Sequence, residues 1–293
     1  YQIKSPARLA ARKLPSTYDP RSSGEITTVK DQASTGACWA FSALACAEQD
    51  LIKKGLENPS TEFSVPALVL SSNSGTATGK DDFSSGGNWL FAASALANGQ
   101  GLCYEDYEPF LESGTGNMIV SENKKSVSEY RLNYVMELSS TTQVKRKIME
   151  LGAVSASYFA GNGYMNHNNT AYYDPDASKN TIINHSVTVV GWDDNYSKDN
   201  FRYKPANNGA WLVKGSWGAD QDNDGFYWVS YDEAEFGQFC CYDFEESCDN
   251  TYHYSKMTGY VVNASNDGSV YGANVFTAKA DEKLDKAGFM SVS

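Results

Sequence analysis

The chain changes texture partway along, and that change restricts the fold more than any other feature. In its first half, apolar residues recur at helical spacing. Within CWAFSALACAEQDLIKKG, the residues Phe41, Leu44, Ala45, Leu51 and Ile52 fall on one face. Lys53 and Lys54 suit the negative end of a helix dipole, and Gly55 is placed to close the helix. A second helix is expected over 89–98 and a third from Val144, ended by Gly152. Residues 71–88 are loop by composition. Beyond Gly152 come short runs rich in Val, Tyr, Trp and Phe, split by turn residues: AVSASYF, HSVTVVGW, GAWLVKGSW and GFYWVSY. Helices first and antiparallel strands second imply an α+β fold in two lobes.

The 293 residues are more than one core usually serves. We divide them into a leader remnant or arm (1–14), a helical lobe (15–130), a β lobe (131–248) and the opening of a further β module (249–293). A net charge of −12 argues against nucleic acid, because phosphate binding needs clustered Lys and Arg. The sequence holds neither a long apolar run nor a signal peptide, so no transmembrane segment is expected.

Chemistry points to STGACWAFSA. Cys38 stands at the start of the first helix, where free backbone N–H groups and the dipole favour a thiolate. A nearby imidazole would do more, by taking the thiol proton. Of the three histidines, His167 and His253 lie in polar stretches, whereas His185 opens a strand-like run. The six cysteines are too sparse for a disulfide scaffold, and no CxxC pair suggests zinc. A local bridge among Cys240, Cys241 and Cys248 is one option.

Gln32, Gly36, Cys38, Trp39, His185 and KGSWG occur in an order that resembles the papain family of cysteine peptidases, over about residues 15–245. The resemblance implies a papain-like two-lobe fold and a peptidase needing no cofactor. It makes Cys38 the nucleophile, His185 the base, and Gln32 with the Cys38 backbone N–H the oxyanion donors. Trp217 would cover the histidine. Gly86 and Gly87 would expose backbone to an extended substrate, and Trp89, Ile183 and the Ala156–Ser157 pair would border an apolar P2 pocket.

Three departures matter. The family's cysteine three places before the nucleophile is Thr35, and its bridge partner is lost within Ser84–Ser85. The asparagine of the family's NSWG element is Gly215, so Asn208 is the expected replacement, with Asn207 and Ser216 behind it. A second tryptophan is replaced by Gln221.

GWDDNYSKDNF and NNGAWLVKGSWG resemble the clostridial cell-wall cysteine proteases that process surface-layer protein, in which a lectin-like module follows the lobes. That implies an extracellular, secreted or wall-associated enzyme. Its partners would be a surface-layer precursor or host extracellular protein, with cell-wall glycan on the C-terminal module. Two other readings compete: a catalytically weak relative that binds peptide or glycan, and another Cys–His acyl-transfer enzyme. In DQDNDG, Asp220, Asp222 and Asp224 match the start of a calcium loop, but position twelve is Tyr231, so a solvated acidic turn is the stronger reading. The glycosylation patterns at Asn184 and Asn168 are read as chance.

Overall fold

The computed structural model describes residues 13–73, 83, 86–97, 102–107, 109–110, 129–177, 182–219 and 222–247, with isolated positions 277, 279, 281, 283 and 284. Cys248, Ser84, Ser85, Asp220, Gln221 and most of 249–293 lie outside the described residues.

The N-terminal part is built around helix α1, Cys38–Lys53, with α2 (Val65–Asn73) and α3 (Trp89–Ala97) packed near it. Gly55 follows α1 with φ +71, the left-handed conformation expected after a helix end. Helix α2 was not expected. Its VPALVL stretch is apolar all round, so no 3.6-residue period marks it, and residues 71–73 are its last turn rather than loop.

The C-terminal part is an eight-stranded sheet. Its strands are β1 (Thr17–Tyr18), β2 (Tyr130–Glu137), β3 (Val154–Tyr158), β4 (Ala171–Tyr172), β5 (His185–Asp193), β6 (Ala210–Lys214), β7 (Phe226–Ser230) and β8 (Gly237–Glu246). The order is β2-β8-β3-β5-β6-β7-β4, with β1 on β5, and only β4–β7 is parallel. The four expected strands are β3, β5, β6 and β7. Helix α4, Thr141–Leu151, begins at Ser140, whose hydroxyl accepts from the Gln143 amide, and ends at Gly152 with φ +85.

Two apolar clusters sit on opposite sides of the sheet. One joins α1, α2 and α3 through Leu44, Leu51, Phe63 and Leu68 to Tyr242 and Phe244 of β8. The other packs α4 against Tyr158, Val187, Trp192 and Trp211. Successive strand residues point to opposite faces, so Cys240 enters the first cluster and Cys241 the second. Among the described residues, none of Cys46, Cys103, Cys240 and Cys241 is bridged to another cysteine.

Polar side chains fasten α1 to the sheet. Ser42 Oγ donates to the Val187 carbonyl at 2.7 Å and lies 2.9 Å from Ser155 Oγ. Deeper, Lys214 Nζ donates to Thr27 Oγ1 at 2.6 Å and sits 3.9 Å from Glu48, which also meets Lys30 at 3.5 Å. Burial pulls the Lys214 pKa down against the pull of Glu48. Among the described residues, no helix is long and apolar enough to cross a membrane.

Candidate active site

Cys38 is the first residue of α1, and Ala37 before it offers no side-chain cap. The Cys38 and Trp39 amides face the thiol, while the Ala40 amide donates to the Ala37 carbonyl at 2.8 Å. Burial pushes the Cys38 thiol up, while hydrogen bonds from the Ser186 amide and hydroxyl and from the Trp39 and Cys38 amides oppose it. Ser186 follows His185 in β5, so the strand that starts with the histidine is the one that touches the thiol.

His185 is buried at 6% exposure, and burial lowers its pKa to about 4. Desolvation thus favours an uncharged thiol and an uncharged imidazole in the free site. Trp217 stacks on its ring at 4.6 Å and 12°, and Tyr158, its partner in the β3–β5 ladder, presents an edge at 5.9 Å and 68°. The His185 Nε2 is buried with no hydrogen-bond partner among the described residues.

Gln32 reaches this site because its segment runs antiparallel to residues 216–218. Its amide donates to the Ser216 carbonyl at 2.8 Å, and Asp31 bridges Trp217. The Gln32 side chain is fixed at both ends: Nε2 donates to the Thr35 carbonyl at 2.7 Å, and Oε1 accepts from Ser216 Oγ at 2.6 Å. One hydrogen on Nε2 remains for another acceptor. Thr35, standing where the family has a cysteine, donates from Oγ1 to the Gln32 carbonyl at 2.7 Å, and the next amide, Gly36, donates to Phe83 at 2.6 Å. Hydrogen bonds tie together the loops that a disulfide would otherwise join.

Asn208 is not at the site. It is exposed, and its Oδ1 accepts from the Lys198 amide at 3.2 Å. It leads into Ala210, which pairs with Asp193 at the far end of β5 from His185. At about 3.3 Å per residue, the two ends of that strand lie roughly 26 Å apart. A loop entering β6 meets the wrong end of the ladder, and the strand must run to Lys214 before it returns to the histidine. Asn207 is also remote, bonded to Asp232 through its amide at 2.7 Å. Ser216 is near, but its hydroxyl serves Gln32.

Gly86 and Gly87 are exposed beside this end of α1. A Cβ on Gly87 would run into the Trp39 indole, so only glycine lets the backbone pass there. Trp89 and Ile183 are half-buried, whereas Ala156 is fully buried in the core against α4 and borders no pocket. On the opposite face of β3, Ser157 and Ser186 hydroxyls pair at 3.0 Å. Asp224 sits in the short 3-10 turn Asp222–Gly225 between β6 and β7 with φ +55, and no group of three metal-binding side chains occurs among the described residues.

Sequence reasoning missed Tyr158, Tyr227 and Ser186. Tyr158 and Tyr227 read as ordinary strand aromatics, and only sheet pairing brings them together. Ser186 had one usable signal, its place directly after the candidate base.

The family described as papain family cysteine protease matches residues 14–249. Cathepsin S of Bos taurus is 29% identical over 218 residues, covering 73% of this chain and 60% of that protein. Procathepsin L of Felis catus is 28% identical over 224 residues, covering 75% and 62%. The cysteine protease and lectin-like domains of Cwp84, described as a surface layer associated protein of Clostridium difficile, superpose with a TM-score of 0.73. The identity is 31%, over 81% of this chain and 53% of that one. A digestive procathepsin L 3 of Tenebrio molitor shares the fold, with a TM-score of 0.61 at 21% identity. The chain thus spans less than two thirds of the length of the two cathepsins and of the Cwp84 domains.

Proposed function

The chain belongs to the papain family of cysteine proteases, and from that premise we propose an extracellular endopeptidase that works through Cys38 and His185. Cys38 Sγ attacks the scissile carbonyl carbon as His185 takes the thiol proton. The tetrahedral oxyanion is met by the free hydrogen of Gln32 Nε2 and the Cys38 backbone N–H. His185 then gives its proton to the leaving amine, and a thioester remains. Water attacks the thioester with His185 as base, the acid product leaves, and Cys38 recovers its proton. No cofactor enters this sequence.

The observation that supports the reading is a Cys38 thiol at a helix start, touched by Ser186, the residue after His185, with the Gln32 side chain of the preceding loop fixed by Ser216 and Thr35. The likeness to Cwp84 supports an extracellular or wall-associated location, a surface-protein substrate and a lectin-like module beginning near 249 that would contact glycan.

The unpartnered Nε2 favours a second reading, a weak enzyme whose groove chiefly binds peptide. Hydrolysis of casein and of a fluorogenic peptide, with Cys38→Ala as control, separates the two. Turnover by the parent and none by the variant supports a peptidase. Peptide binding without turnover in either supports the weak relative.

A further inference from the structure

Gly215 stands where the family places an asparagine, yet it does not leave an empty space. A Cβ built there would lie 3.3 Å from Tyr227 Cε1 and 3.2 Å from the Gly225 carbonyl. Both distances are tighter than ordinary van der Waals contact, so a side chain at 215 would have to push the Tyr227 ring and the Gly225 carbonyl aside by a few tenths of an ångström. Tyr227 is itself buried, at 3% exposure, and stacks on Trp217 at 5.8 Å and 8°. Its hydroxyl lies 2.8 Å from the Tyr158 hydroxyl. Tyr158 returns to the imidazole in a T-shaped contact at 5.9 Å, and Trp217 stacks on the same ring at 4.6 Å. His185, Trp217, Tyr227 and Tyr158 therefore form a closed circuit of four rings. Tyr158 is further wedged by Tyr172 at 5.0 Å and Phe236 at 5.5 Å, and Tyr172 Oη donates to the Phe159 carbonyl at 2.6 Å.

An imidazole acting as base must keep its plane aimed at the thiol, and an acceptor on its far nitrogen usually does this. Here Nε2 has no partner among the described residues, while Trp217 stacks on the ring and Tyr158 meets it at a steep tilt. We propose that Tyr158 and Tyr227 are positioning residues for His185. Joined hydroxyl to hydroxyl, they complete an aromatic box that holds the imidazole plane in place of a side-chain acceptor at position 215. The inference rests on the reading of His185 as the base. It goes further by giving Gly215 and Tyr227 one shared role: the glycine makes room for the ring.

The variants are Tyr158→Phe, Tyr227→Phe and the double phenylalanine, compared with His185→Ala. The double variant removes both hydroxyls at once, leaves neither buried without a partner, and keeps both rings packed. Two readouts are taken: kcat and KM on a peptide substrate, and the rate of Cys38 alkylation by iodoacetamide at pH 6 and pH 10. We expect kcat to fall about 10-fold in each variant with KM unchanged, the size of loss that a loosened base gives. Alkylation at pH 6, where the thiol depends on the imidazole, should fall in parallel, while alkylation at pH 10 stays within 2-fold. A merely structural role would not divide the two pH values. Adding Gly215→Asn to Tyr227→Ala should recover part of the kcat lost in Tyr227→Ala, because removing the ring lifts one of the two close contacts and leaves only a small shift of the Gly225 carbonyl to admit an amide acceptor.

Tyrosine variants within 2-fold of the parent in kcat and in alkylation at pH 6 overturn the inference, as does a rise in KM at constant kcat. If His185→Ala itself keeps full alkylation at pH 6, the reading of His185 as base fails. If that variant loses it while the tyrosine variants do not, only the aromatic box fails.

Discussion

Replacing Gln32 with alanine removes one proposed oxyanion donor and one buried acceptor together, and the structure separates the two effects. The donor is Nε2, held by the Thr35 carbonyl at 2.7 Å with one hydrogen left over. The acceptor is Oε1, which takes the Ser216 hydroxyl at 2.6 Å in a buried setting. Losing one oxyanion donor costs about 10²–10³ in kcat. Orphaning the Ser216 hydroxyl costs about 1–3 kcal/mol of stability. For a domain of this size that lowers the melting temperature by about 2–4 °C per kcal/mol. Adding Ser216→Ala to Gln32→Ala removes the stranded hydroxyl, so the double variant should regain stability without regaining turnover. Initial-rate kinetics on a fluorogenic peptide, with a thermal melt of each variant, reads both quantities. A raised KM at normal kcat would refute the oxyanion role and make Gln32 a binding residue. Equal recovery of kcat and stability in the double variant would show that the Gln32 loss was structural throughout.

Glu48→Leu should destabilise by about 3–5 kcal/mol, because Lys214 is then buried without its carboxylate; chemical denaturation should show recovery in Glu48→Leu/Lys214→Met. Gly87→Ala should lower kcat/KM at least about 10-fold, since the new Cβ collides with Trp39 and shifts the backbone that lines the cleft. His185 has its pKa lowered to about 4, and only the neutral ring accepts a proton, so kcat/KM should rise as pH increases through about 4. The same shift affects stability: between the ordinary histidine value and about 4, the unfolded chain binds the proton and the folded chain does not. That part of the stability is present in full above about 6.5 and is lost as pH falls towards 4. Denaturant curves at pH 7 and pH 5 should therefore converge for His185→Gln relative to the parent. Comparison with the variant is needed because Glu233, raised by burial to about 7, gives a slope of opposite sign.

The legible parts of this chain were those written in local chemistry. Cys38 could be placed at a helix start because a periodic run begins there, and His185 at a strand entry because HSVTVVGW alternates with turns on either side. Gly55 and Gly152 closed their helices as helix-end glycines do. What stayed hidden depended on which strand end faces which. Asn208 sits in the loop before β6, close to His185 along the chain but at the opposite end of the β5–β6 ladder. Strands β2 and β8 were not expected, since arginine, asparagine, glutamate and paired cysteines interrupt their apolar pattern. Yet β8 lies between β2 and β3, a burial that no short window reveals. The contact between Tyr158 and Tyr227 joins two strands that are not neighbours in the sheet, and no sequence period encodes it.

The proposed chemistry rests on one thiol, Cys38, with His185 as its base. Titration with an epoxysuccinyl inhibitor, followed by peptide mapping of all cysteines, tests it most directly. Activity should vanish at one equivalent, with a single adduct on Cys38, and His185→Ala should slow labelling at neutral pH. An adduct confined to Cys46, Cys103, Cys240, Cys241 or Cys248, or full activity remaining after complete labelling of Cys38, would contradict it.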